Sequence, residues 1–117
     1  MEPFAAHLAE VAMLRGLRHS LASWLEEAGA PAEAKDSIVL ATHEAVTNAL
    51  THGDVGSPVT VTANRHADGR FMIVVRNDGA WKEPTPDAGG RGLPMMRDLM
   101  SDVGIRPATA VYMRKDV

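Results

Sequence analysis

At 117 residues the chain has room for one domain and hardly for two. Its 45% hydrophobic and 23% charged content is that of a globular fold, and a formal net charge of −3 argues against a general nucleic-acid binder. With no cysteine, disulfides, thiolate metal sites and cysteine nucleophiles are excluded. No apolar run approaches the roughly 20 residues of a membrane span, and no secretory leader pattern opens the sequence. The expectation is a cytoplasmic single domain.

In chain order, Phe4–Leu8 offers a weak strand signal. Leu14, Leu17, Leu21, Trp24 and Leu25 then recur at three- and four-residue steps, which predicts a helix over about Ala9–Ala28. Gly29 is placed to cap it, and Pro31 suits the first turn of a second helix over about Ala32–His52. The apolar side of that helix is Ile38, Ala41, Ala45, Val46 and Ala49. The period then changes to two: Val59, Val61 and Ala63 alternate with Thr60 and Thr62, as in a half-buried strand. Asp68-Gly69 signals a hairpin into Phe71–Asn77, which is apolar enough to be a central strand.

Trp81–Gly90 (WKEPTPDAGG) has the composition of a connection or a lid rather than of an element. Gly92–Ser101 predicts a short helix with Leu93, Met96 and Met100 inward, and Val103–Arg106 and Thr109–Lys115 read as two more strands. Hairpin-joined strands with few helices imply a two-layer α/β sandwich, with a mixed, mainly antiparallel sheet and helices on one face.

Three features can carry chemistry. Glu44, Asn48 and His52 follow one another at steps of four, with roughly 40° of drift per step, so they share one stripe of the second helix. Such a stripe suits a solvated face equally well, but Asn is a poor mid-helix residue. Its carboxamide oxygen can ligate a hard cation such as Mg²⁺, and Glu44 offers a base. Asn77-Asp78-Gly79 reads as a turn, or as a strand end facing a ligand cleft. Gly89-Gly90-Arg91-Gly92, just ahead of a helix, is either a hinge or a phosphate cradle.

Other signatures are absent. There is no P-loop, no G-x-G-x-x-G, no G-x-S-x-G elbow and no eukaryotic-type kinase H-R-D or D-F-G. His43-Glu44 does not continue into H-E-x-x-H, because position 47 is Thr. His7, His19 and His66 have no ligand spacing.

Taken in order, these features resemble the GHKL, or Bergerat-fold, ATPase family, and within it the bacterial anti-sigma-factor serine/threonine kinases. The strings THEAVTNALTHG, VVRNDG and GGRGLPMMRDLMSDV carry the likeness, which spans nearly the whole chain. The resemblance implies ATP and Mg²⁺ as cofactors. It makes Asn48 the Mg²⁺ ligand bridging to the phosphates and Glu44 the base for an attacking serine or threonine hydroxyl. Asn77 falls where the family usually has the Asp that reads the adenine amino group, with Gly79 two places on. Gly90, Arg91 and Gly92 fall at the phosphates under a lid of about residues 80–91, and Thr109 supports the adenine pocket. His52 matches a frequently polar position with no firm role.

The same resemblance implies two partners, a STAS-type anti-anti-sigma domain as phosphoryl acceptor and a sigma factor, and a homodimer. The chain is also compatible with being one module of a larger regulator. The departure at Asn77 keeps a second expectation open, a module that regulates a sigma factor by binding alone. A histidine-kinase catalytic domain or a gyrase-like ATPase fits the short length and brief lid poorly.

Overall fold

The computed structural model describes residues 1–52, 58–77, 92–106 and 110–117. Five strands form one sheet: β1 (Phe4–Leu8), β2 (Val59–Arg65), β3 (Phe71–Asn77), β4 (Asp102–Arg106) and β5 (Ala110–Lys115). Their spatial order is β1-β2-β3-β5-β4, and every neighbouring pair is antiparallel. Among the described residues the mainly antiparallel expectation is met by antiparallel pairing throughout, and β3 is the centre of the sheet, as its apolar run predicts.

Alternation along the strands sets the two faces. Val59, Val61 and Ala63 of β2 are buried, and so are Phe71, Ile73 and Val75 of β3 and Val111 and Met113 of β5. The register aligns Val61 with Val75 and Val75 with Val111, so the buried positions form rows across the sheet. The row through Leu8 and Val59 ends at Asn77, which puts a polar residue on the helix-facing side.

Three helices cover that side: α1 (Leu14–Glu27), α2 (Ala32–His52) and α3 (Gly92–Leu99). α2 lies in the middle, packed on both other helices and on β2, β3 and β5. α1 buries Leu14, Leu17, Leu21 and Leu25, one residue per turn of its apolar stripe. Truncating any of these to Ala removes contacts worth about 2–5 kcal/mol. Met96 and Met100 are buried in the same core, while His7, His19 and His66 are exposed.

The helix boundaries have local causes. α1 begins at Leu14, later than its periodicity predicts. Chain leaving β1 is still extended at Glu10, whose side chain caps nothing, and a single 3-10 turn (Val11–Met13) intervenes. At the other end Gly29 sits at φ +83°, with its N–H donating to Glu26 and the Ala30 N–H to Leu25, the paired bonds of a Schellman cap. Arg65 adds a side-chain hydrogen bond to the Ala28 carbonyl, while its guanidinium lies over the Phe71 ring. A salt bridge of 2.9 Å between Glu26 and Lys35 spans α1 and α2, and it raises the Lys35 pKa.

The β2–β3 hairpin closes through His66–Arg70, with Gly69 at φ +93°. The backbone N–H of Arg70, then its guanidinium, holds the Asp68 carboxyl below its ordinary pKa. β1, weakly signalled in the sequence, forms because β2 offers it a full five-residue register from Phe4 to Leu8.

Candidate functional site

The long helix α2 presents two kinds of residue along its length. Ile38, Ala41, Ala45, Val46 and Ala49 are buried against the sheet and the neighbouring helices. Glu44 and Asn48 lie beside that stripe and are half-buried. The four-residue step puts the carboxylate one turn before the carboxamide.

The centre of the sheet delivers its polar residue to the same helix. Asn77, only 3% exposed, donates from Nδ2 to the main-chain carbonyl of Ala49 at 3.2 Å. The bond ties the end of β3 to the residue following Asn48. The end of β3 thus lies against the helix that carries the Glu44–Asn48 stripe, and α3, a third element that opens at Gly92, packs on the same helix.

Of the residues expected at the site, Glu44, Asn48 and Asn77 are thus placed on two contacting elements, and Gly92 begins the third. Gly79, Gly90, Arg91, Thr109 and the lid of about residues 80–91 lie outside the described residues. His52 is the last residue of α2. Asn77 is the last residue of β3, and Asp78 and Gly79 of its N-D-G string lie outside the described residues.

Among the described residues no cluster of three or more His, Cys, Asp or Glu is arranged to hold a metal. Glu44 and Asn48 are hard oxygen donors, and two such groups are too few for a cage built by protein alone. That donor set fits Mg²⁺, which keeps its waters and takes most of its ligands from substrate phosphates.

Two features beside the site escaped the sequence reading. Thr42 is buried, and among the described residues its Oγ1 has no hydrogen-bond partner. Leu40 is 43% exposed although it sits in the middle of α2. The usable signal for Leu40 was its position off the Ile38–Ala41–Ala45 stripe.

A five-stranded antiparallel sheet with three helices on one face, its central strand docked on the longest helix, is the GHKL-type ATPase fold. The chain matches the model of the histidine kinase-like ATPase domain over residues 8–115, and it belongs to that family. Membership in an ATPase-domain family implies ATP binding. Among solved structures it is similar to the RsbU and RsbW domains of Rv1364c from Mycobacterium tuberculosis. The TM-score is 0.81 at 29% identity, over 98% of this chain and 32% of that one. The chain thus spans about a third of that protein's crystallised length. The histidine kinase domain of the blue-light activated histidine kinase of Erythrobacter litoralis EL346 shares the fold, with a TM-score of 0.65 at 19% identity. That match covers 90% of this chain and 59% of the other. Among the described residues no helix is long and apolar enough to cross a membrane.

Proposed function

We propose that the chain is an ATP-dependent serine/threonine protein kinase domain of the anti-sigma type. The observation that carries this reading is the Asn77–Ala49 hydrogen bond, which sets the end of the central strand beside the Glu44–Asn48 stripe. Asn48 would hold Mg²⁺ against the nucleotide phosphates through its carboxamide oxygen. Bound there, the metal supplies neutralisation of phosphate charge, on which phosphoryl transfer mainly depends. Gly90, Arg91 and Gly92, at the opening of α3, contribute backbone amides, a guanidinium and the positive end of a helix to the same phosphates. Asn77, with Gly79 and Thr109, forms the adenine end, where a carboxamide oxygen accepts from the exocyclic amine. The acceptor hydroxyl oxygen bonds to the γ-phosphorus as the bond to the β-phosphate bridging oxygen breaks. ADP leaves, and Glu44 takes the hydroxyl proton.

The acceptor in this proposal is a STAS-type anti-anti-sigma domain, and the same surface sequesters a sigma factor, with the chain working as a cytoplasmic homodimer. The similarity to the RsbW-containing structure supports this choice over a histidine kinase, whose likeness at 19% identity concerns the fold alone. One observation favours a second reading. Asn77 replaces a carboxylate and spends an N–H on a backbone carbonyl, as a structural residue does, which suits a module that grips a sigma factor without turnover.

The deciding experiment is calorimetric titration with ATP, ADP and GTP, with and without Mg²⁺. The kinase reading expects adenine-selective binding that tightens with Mg²⁺ for ATP. Equal affinity for GTP, or no binding of any nucleotide, overturns it.

A further inference from the structure

β1 ends the sheet on one side: it pairs with β2 over Phe4–Leu8, and among the described residues no strand lies along its other edge. The two edges of the sheet differ in kind. β4 carries Asp102 and Arg106 at its ends, charges that discourage a further strand, and Gly104 at its centre, which weakens one. β1 reads FAAHL and holds no Lys, Arg, Asp, Glu or Pro. Beside it runs a groove of about 420 Å³, lined by Phe4 and Leu8 and by Ala12, Met13, Gly16 and Leu17. We infer that a second copy of the chain docks on this edge, β1 against β1 antiparallel about a two-fold axis at Ala6. The inference rests on one part of the proposed reading, the homodimer, and locates its interface.

Three observations select this occupant. First, none of the residues lining the groove is Lys, Arg, Asp or Glu. Close to a two-fold axis a charge meets its own kind, so self-pairing needs an uncharged surface, and such a surface offers a charged partner nothing to pair with. The one histidine there, His7, bonds Thr60 Oγ1 through Nδ1 at 3.2 Å. Second, the strand is complementary to itself. Pairing centred on Ala6 sets Phe4 opposite Leu8 and Ala5 opposite His7, and it keeps Phe4 and Leu8 of both copies on the helix side, where they already join the core.

Third, Ala12 of the 3-10 turn and Gly16 and Ser20 of α1 follow at steps of four as a row of small, exposed residues bordering the same groove. Gly16 has no positive φ, and a Cβ built there meets nothing within 4 Å. Nothing in this chain therefore requires glycine, a weak helix former, at that helical position. The two-fold that pairs the strands turns this flank of α1 toward its twin, where a glycine lets a second backbone approach closely.

The chain has no cysteine, so one introduced thiol reports the interface. Ala6→Cys sets two thiols opposite each other across the axis, with Cα atoms about 4.5–5.5 Å apart, inside the disulfide range. Mild oxidation is expected to link Ala6→Cys into a covalent dimer and to leave Leu40→Cys, on α2, unlinked. Sedimentation equilibrium gives the second readout, with a reversible dimer expected for the unaltered chain. Gly16→Leu is expected to weaken that dimer about tenfold or more, while the urea midpoint of its monomer stays equal or rises because the space at Gly16 is open. Folded Ala6→Cys that stays unlinked, or an undiminished dimer in Gly16→Leu, overturns this interface and leaves the homodimer standing. A chain that is monomeric at every concentration overturns both. The kinase reading is decided separately, by the nucleotide titration.

Discussion

The Asn77 side chain donates to the Ala49 carbonyl across 28 residues of sequence, joining the end of the central strand to the last turn of α2. The contact is buried, and Ala49 directly follows Asn48, so one hydrogen bond sets the spacing between two segments of the proposed nucleotide site.

Asn77→Asp separates the structural and recognition roles of this residue. The substitution replaces a donor with an acceptor opposite a carbonyl, so stability is expected to fall by about 1–3 kcal/mol in urea unfolding. Well below the unfolding midpoint, the folded variant is expected to bind ATP more tightly, since a carboxylate is the stronger acceptor for an adenine amine. Unchanged unfolding would mean that the bond to Ala49 contributes nothing, and unchanged affinity would remove Asn77 from the adenine end.

Glu44 and Asn48 are adjacent turns of one helix with separable duties in the proposed mechanism. Glu44→Ala should retain nucleotide binding while transfer to an acceptor drops by roughly 10²–10⁴-fold, the usual range for a lost general base. Asn48→Ala should abolish the Mg²⁺-dependent part of ATP binding. Calorimetry and a single-turnover transfer assay read these two effects independently. Full transfer in Glu44→Ala would move the base to another residue.

Thr42 offers a stability prediction away from the chemistry. Its buried hydroxyl lacks a partner among the described residues, and such a group typically costs about 1–3 kcal/mol. Thr42→Val keeps the branched shape and removes the oxygen, so the thermal midpoint is expected to rise. A lower midpoint would indicate that the hydroxyl is satisfied in solution.

Local patterning made the elements legible in the sequence. The three- and four-residue repeat of Leu14, Leu17, Leu21 and Leu25, and the alternation of Val59, Val61 and Ala63, are properties of neighbours along the chain. Gly29 and Gly69 marked the cap and the hairpin for the same reason, since their positive φ is a local requirement. α1 starts later than its periodicity predicts because the chain, two residues beyond the β1–β2 pairing, is still extended at Glu10. That Glu44 and Asn48 share one stripe of α2 follows from their spacing alone.

The amino-acid order thus determined the helices, the strands, the α/β layering and the Glu44–Asn48 stripe, all of which rest on interactions within a few residues. Only the tertiary structure decided that Asn77 faces α2 and donates to Ala49, that Thr42 lacks a partner among the described residues, and that Gly16 borders a groove beside β1. Those facts depend on how separate elements are brought together, and no local periodicity encodes the partner that a side chain meets after the sheet and helices have packed.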